Sequence, residues 1–223
     1  TETTINLFDD LGYDLKGIRA GGKVKPIYLT KLPKDLKTLG DTKKKRELFI
    51  RIVLPLILDE NLKITDDRKK LFKILKKNFN TSGERVWLKR RFKEYKIDDA
   101  DLAKLKMRMD IIPVSIALAQ AANESGWGTS RFALEGNALF GQWTWSKKGI
   151  SPKNKDPDSS HKVLQFQVLK ASVRAYKNNL NTHNAYKEFR EARAKLRQDN
   201  KEIIGIELTK YLSRYASIGK KYV

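Results

Sequence analysis

Apolar residues return at three- and four-residue spacing through most of this chain, and that period admits helices and little else. From Lys43, residues Leu48, Phe49, Ile52, Val53, Leu56 and Ile57 mark one helix, with Pro55 expected to kink it. Thr65 is expected to cap a second helix that carries Leu71, Phe72, Leu75 and Phe79. Thr81-Ser82-Gly83-Glu84 reads as a capping box before Val86, Trp87 and Phe92. A short helix follows over 100–109, with Leu102, Leu105 and Met109 near its buried side. Asp110 and Pro113 open the helix of VSIALAQAANE, and Gly126 and Gly128 supply the left-handed angles that end it. Helical spacing returns at Val173, Tyr176 and Leu180, over 184–198 and over 202–215.

Two regions break the period. Residues 1–42 hold Gly12, Gly17, Gly21, Gly22, Pro26, Pro33 and Gly40 among short apolar pieces, and read as an extended, loop-rich arm. Between 141 and 168, QWTW and KVLQFQV are β-prone pieces on either side of a polar loop, which predicts a small hairpin with a long basic tip. The expected fold is therefore mainly α, with a small β-hairpin lobe and an N-terminal helical extension. The expected division is an arm over 1–42, a helical extension over 43–97 packed on the core, and a principal domain over 98–223 with its β-lobe at about 141–168.

At 223 residues and 40% hydrophobic content the chain can bury a sizeable core. Its charge of +21 is spread evenly: residues 1–110 carry 28 basic and 17 acidic side chains, residues 111–223 carry 19 and 9. Such a field attracts polyanions of any kind, whether nucleic acid, anionic lipid or an acidic wall polymer. Neither GKVKPIYL nor KKLFKILKKNF resembles a nucleic-acid signature, so no specific nucleic-acid partner is expected. The absence of cysteine excludes disulfides and thiol catalysis. His161 and His183 lie 22 positions apart with no companion at ligand spacing, so no metal and no cofactor is expected. IVLPLIL and IIPVSIALAQAA fall well short of the roughly 20 residues a spanning helix needs. A start at Thr1 rather than methionine is read as a processed or trimmed form.

The chemistry concentrates at AQAANESGWGTSRFALEGNALFGQWTW, residues 119–145. Glu124 ends an alanine-rich helix just before a Gly-Trp-Gly turn. An apolar surround, the negative end of the helix and the bulk of Trp127 would each raise its pKa, while the basic field of the whole chain would lower it. A carboxylic acid protonated near neutrality is what glycoside cleavage asks of its general acid. A solvated glutamate at a helix end is the ordinary alternative, and the neighbours decide against it. Trp127, Phe132, Phe140, Trp143 and Trp145 follow within 21 positions, and indole faces suit the C–H faces of sugar rings. Gln120, Asn123, Asn137 and Gln142 offer amides for hydroxyl and acetamido groups, and Tyr176 joins them as a substrate-binding candidate. Trp143 and Trp145 share one face of a strand by their spacing of two. Phe132 is assigned to the core; Phe140 is a candidate for either core or substrate contact.

At these residues the sequence resembles the glucosaminidase domain of glycoside hydrolase family 73 and, within it, the bacterial Bax-type proteins. The family's Glu-Ser-x-Trp-Gly-x-Ser stands here as Glu124-Ser125-Gly126-Trp127-Gly128-Thr129-Ser130, and its Asn-x-Leu-Phe-Gly as Asn137-Ala138-Leu139-Phe140-Gly141. The likeness continues through SVRAYKNNLNTHNAYKEFREARAKLR to LSRYASIGKKYV, strongly over about residues 98–223 and more loosely from Leu29. It implies a lysozyme-like helical fold with a small β-lobe and hydrolysis of the β-1,4 bond after N-acetylglucosamine in peptidoglycan. It implies further that Glu124 is the general acid and that Tyr215, in the Tyr-Ala motif, lies near the reacting sugar.

One departure stands out. Where a Bax-type relative is expected to bring a second carboxylate, at the start of the second β piece, this chain has Lys162. Glu135, Asp156 and Asp158 are the remaining candidates. A carboxylate at about 5 Å would imply retention, and one at roughly 6.5–9.5 Å inversion. The substrate's own acetamido oxygen could act instead, with Tyr215 as hydrogen-bond partner. The alternative to hydrolysis is a weakened relative that binds the glycan without cutting it. Peptidoglycan strands are the expected partner, an anionic membrane or wall surface a second one, the protein a monomer, and its location the periplasm or cell envelope after export.

Overall fold

The computed structural model describes residues 1–144, 149–151 and 162–212, without the side chains of residues 143 and 144. Its helices are α1 (Glu2–Asp10), α2 (Leu15–Arg19), α3 (Thr42–Leu75), α4 (Ser82–Glu94), α5 (Leu102–Arg108), α6 (Val114–Glu124), α7 (Arg131–Gly136), α8 (Leu169–Thr182), α9 (Lys187–Gln198) and α10 (Gly205–Leu208). Short 3-10 turns precede α3 and α9 and follow α10. Three two- or three-residue strands, β1 (Trp143–Thr144), β2 (Gly149–Ile150) and β3 (Lys162–Leu164), form the only sheet among the described residues. The fold is mainly α with a small antiparallel sheet, as the apolar period requires. No described helix is long and apolar enough to cross a membrane.

The chain divides into two interleaved compact units, Thr1–Asp59 with Ala117–Tyr176, and Glu60–Ile116 with Lys177–Val223. In the first, Phe8, Leu36, Phe49, Ile52, Ala121, Leu139 and Leu169 are fully buried. The first 42 residues, expected as an extended arm, instead contain α1, α2 and a 3-10 turn over Lys34–Thr38. Their glycines stop short helices rather than prevent them: Gly12 and Gly21 take φ of +63° and +94° just after α1 and α2. Phe8 packs edge-on against Tyr13, and Arg51 of α3 covers Phe8 while pairing with Asp9 at 3.0 Å.

The sheet is also richer than a hairpin. β3 is its central strand, with β1 and β2 antiparallel on its two sides, Trp143 opposite Val163 and Ile150 opposite Val163. Gly149–Ile150, within the polar stretch that predicts a loop, supplies the extra edge. The sheet is seated on the end of α7, where Gly136 allows close approach: a Cβ there would meet Ile150 Cδ1 at 2.6 Å.

The second unit is built on Ile64, Leu71, Ile74, Leu88, Tyr95, Ile97, Leu105 and Met109. Three expectations change here. Thr65 caps nothing; α3 runs unbroken through Pro55 to Leu75, and the Thr65 hydroxyl donates to the Asn61 carbonyl one turn back at 2.9 Å. Because α3 stops at Leu75, Phe79 loses helical phase and stands 88% exposed in the turn before α4. Leu75, Val86 and Leu102 are exposed as well. The capping box is present as expected, with Thr81 Oγ1 accepting from Glu84 N and Glu84 Oε2 accepting from Thr81 N.

The same unit buries Asp110, 2% exposed, on which Arg197 closes a two-point clamp (Nε to Oδ2 3.1 Å, Nη2 to Oδ1 2.9 Å). Arg68 adds a contact at 3.6 Å. Arg193, with no exposed surface, donates to the carbonyls of Asp110, Ile111 and Met107 and to Asn181 Oδ1. Burial alone would raise the Asp110 pKa, but these arginines hold it below the usual aspartate range.

Candidate active site

The sequence Ala121-Ala122-Asn123-Glu124-Ser125-Gly126-Trp127-Gly128-Thr129-Ser130 gives nearly every residue a geometric task. The small side chains of Ala117, Ala121 and Ala122 let α6 lie deep in the first unit. Its last residue is Glu124. Ser125 is wholly buried; its hydroxyl donates to the Ala121 carbonyl at 2.5 Å and accepts from Gly128 N at 2.9 Å, so one side chain ties the helix end to the turn. Gly126, Trp127 and Gly128 all take left-handed angles, with φ of +56°, +57° and +78°. For tryptophan that conformation costs about 1–2 kcal/mol. It persists because Trp127 N is bonded to Ala122 O at 2.7 Å and the ring is packed. Ser130 then caps α7 by accepting from Ala133 N.

Gly128 is where the first 42 residues reach the site. A Cβ on it would lie 2.8 Å from Phe49, 3.0 Å from Leu32 and 3.1 Å from Leu36. No reading of the local motif exposes that contact, because Leu32 and Leu36 are nearly a hundred positions away.

Glu124 is half-buried, and burial raises its carboxyl above the ordinary glutamate range. Among the described residues none forms a hydrogen bond or ion pair with it. The group is therefore pushed toward its neutral form by desolvation, with no cation among the described residues paired to it. Gly141 faces it directly: a Cβ there would come within 3.0 Å of Glu124 Oε2, and its φ is +62°. The glycine that closes Asn-Ala-Leu-Phe-Gly thus leaves the space the carboxyl fills. Its place in the motif was legible from sequence; its contact with Glu124, 17 positions back, was not.

Gly141 is positioned by a buried stack. Phe140 lies parallel to Tyr176 at 4.0 Å between centroids and 6° between planes, and the Tyr176 hydroxyl donates to Gln120 Oε1, one turn before Glu124 on α6. Phe140 and Tyr176 are 2% and 1% exposed and lie in the core. Asn137 is buried as well. It is 3% exposed, left-handed at the end of α7, and its Nδ2 donates to the carbonyls of Phe166 and Gln167 at 2.9 and 3.1 Å. That amide fastens the segment after β3.

The other candidates fall as follows. Asn123 is exposed beside Glu124 and Gln120 is half-buried. Gln142 reaches the Ala175 carbonyl at 3.4 Å, and its own carbonyl accepts from Leu164 N. Trp127 is half-buried, edge-on to Phe49 at 5.9 Å with the Arg46 guanidinium over its ring at 5.0 Å, so one indole face is already taken. Phe132 is only partly buried, under Arg131. Glu135 is exposed and faces Arg131 at 3.6 Å. Lys162 is the first residue of β3, opposite Thr144. Trp145, Asp156, Asp158, His161 and Tyr215 lie outside the described residues, as does the side chain of Trp143. No group of carboxylates and histidines among the described residues could hold a metal ion.

Comparison with known proteins bears on this constellation. The glucosaminidase family model, described as mannosyl-glycoprotein endo-beta-N-acetylglucosaminidase, matches residues 100–222. Protein bax of Escherichia coli (strain K12) is 35% identical over an alignment of 194 residues that covers 84% of this chain and 69% of that protein. No solved structure matches the chain. The family match takes in α6, the turn that carries Glu124, the sheet and α8, and the relative extends it over most of the remainder: this chain belongs to the glucosaminidase family, as a Bax-type member.

Proposed function

We propose that the protein hydrolyses the β-1,4 bond after N-acetylglucosamine in peptidoglycan, with Glu124 as general acid. The observation that carries this reading is the state of Glu124: half-buried, raised in pKa by desolvation, unpartnered among the described residues, and given room by Gly141. A general acid must hold its proton until the leaving oxygen arrives, and desolvation favours that. Membership of a glycosidase family is consistent with it. Asn123 and Gln120 lie on the same helix within one turn and are suited to the sugar's polar groups. Tyr215, through its motif, is assigned near the reacting centre, and Asp156 or Asp158 is the candidate second carboxylate. Peptidoglycan as substrate places the protein in the periplasm or at the cell envelope.

The test is digestion of purified peptidoglycan by the wild type and by Glu124→Gln, with new reducing ends identified by mass spectrometry after borohydride reduction. Reduced N-acetylglucosamine ends from the wild type alone support the assignment. Ends of N-acetylmuramic acid, or equal activity of the variant, refute it. A second reading, a glycan-binding relative without turnover, draws on Lys162 at the first position of β3. It predicts no new ends from either protein and retention of both on insoluble peptidoglycan.

A further inference from the structure

The sequence's diffuse positive charge acquires a definite location in the second unit, at the helical hairpin formed by the end of α3 and by α4. Residues 69–96 contain eleven Lys and Arg and two Glu. Both glutamates are engaged, Glu84 with Lys77 and Glu94 with Arg91. On α4, Arg85, Val86, Lys89, Arg90 and Lys93 are all exposed and lie one helical turn apart in pairs, so they form one outward face. Lys73 and Lys76 are exposed at the end of α3. Of these cations, Lys73, Lys76, Lys89, Arg90 and Lys93 have no ion-pair partner among the described residues.

Between the two helices stands Phe79, 88% exposed, with Val86 and Leu75 at 51% and 40%. A phenylalanine in water on a polar turn gains nothing from the fold. Its neighbours cannot be repacked over it, since the capping box fixes Thr81 and Glu84, and Lys77 is bound to Glu84. The opposite side of the hairpin is fully used: Ile74, Leu88 and Tyr95 are buried there, with Trp87 held between Lys70 and Arg91.

We propose that this hairpin tip docks the protein on an anionic lipid surface, the cations meeting phosphate headgroups and Phe79 entering the headgroup–acyl boundary. Charge complementarity specifies a polyanion. The exposed apolar tip within the basic field favours a bilayer over a wall-bound polyanion, because a bilayer offers both negative charge and an apolar layer in which a phenylalanine ring can be buried. The contact is peripheral, since α4 turns its basic face outward and its apolar face into the core. This inference is independent of the catalytic reading; a protein without hydrolase activity would bind in the same way.

The experiment is co-sedimentation of the full chain with vesicles of phosphatidylcholine alone and of phosphatidylcholine mixed with phosphatidylglycerol, at low and high salt. The wild type is expected on the mixed vesicles at low salt and not on the neutral ones. Phe79→Ser should weaken that binding about five- to twentyfold without altering the melting temperature, given its exposure. Lys89→Glu with Arg90→Glu should weaken it by more than tenfold, and the same charge change at exposed Lys16 and Lys25 by less than about threefold. Three results would overturn the proposal: no sedimentation with mixed vesicles, undiminished binding by Phe79→Ser, or an equal loss from the Lys16 and Lys25 pair. The second would make the patch a site for polyanions in general, and the third would reduce the effect to the overall field.

Discussion

Gly126 and Gly128 share one turn, one residue type and nearly the same backbone region, yet alanine should affect them very differently. At both positions the left-handed angle costs a Cβ-bearing residue about 1–2 kcal/mol. At Gly126 the added methyl meets only Thr129 Oγ1 at 3.4 Å, an ordinary contact, so the conformational cost is nearly all of it. At Gly128 it falls within 2.8–3.1 Å of Phe49, Leu32 and Leu36, three side chains that are 0%, 4% and 0% exposed and have no free direction in which to yield. Overpacking of this kind adds about 1–3 kcal/mol, for a total of about 2–5 kcal/mol at Gly128. With roughly 2–4 °C per kcal/mol in a chain of this size, its melting temperature should drop by about 4–20 °C. Urea denaturation of each single variant, monitored by tryptophan fluorescence, gives the two values. A third variant, Leu36→Ala with Gly128→Ala, isolates the steric part: deleting the leucine's methyls should recover at least 1 kcal/mol relative to the sum of the single changes. Equal losses at Gly126 and Gly128, or additivity of Leu36→Ala with Gly128→Ala, would show that the N-terminal residues do not support the turn as described.

Three further expectations follow from the charged groups and from Gly141. Glu124 has a folded-state pKa above its unfolded value, so its contribution to stability is most favourable below the unfolded pKa and is lost as pH rises through the folded one. Glu124→Gln should therefore be more stable than the wild type at pH 7, with the difference shrinking toward acid; denaturation midpoints across that range would refute this by showing a constant gap. Asp110 shifts the other way: its stabilisation is full above the unfolded pKa and disappears as pH falls through the depressed folded one. Asp110→Asn leaves Arg68 and Arg197 facing a neutral group and should cost about 3–5 kcal/mol at neutral pH, measured by urea titration. Gly141→Ala puts a methyl 3.0 Å from Glu124 Oε2 and, if Glu124 is the acid, should lower the rate of reducing-end release about a hundredfold, while retention on insoluble peptidoglycan changes little.

Local signals in this chain were reliable where one residue decides the outcome. The capping box at Thr81 and the helix end at Gly126 follow from local chemistry within four positions, and the sequence displays it directly. Periodicity was less reliable at helix ends. Leu75, Phe79 and Leu102 continue an apolar pattern on paper, but burial depends on what packs opposite, which spacing does not contain. The same limit governs the site. Glu124 was identifiable from its helix, its turn and a family motif, whereas its contact with Gly141 required the chain to return after an intervening helix. For Asn137, Phe140 and Tyr176 the sequence does not give burial, because amides and aromatics serve both recognition and packing. β2 escaped notice because a two-residue strand carries no alternation to read.

The interleaving of the two units has a consequence for how the molecule can be made and divided. The first unit needs residues up to Tyr176 and the second begins at Glu60, so α3, α6 and α8 each supply residues to both. On the ribosome, the first unit has its full complement of chain only once Tyr176 has been made, when residues 60–116 of the second unit have already been made. No single cut separates the two units from each other, and a fragment that starts at Thr1 and ends between residues 60 and 175 lacks part of both. Functional dissection of this chain is better pursued with point substitutions than with truncations.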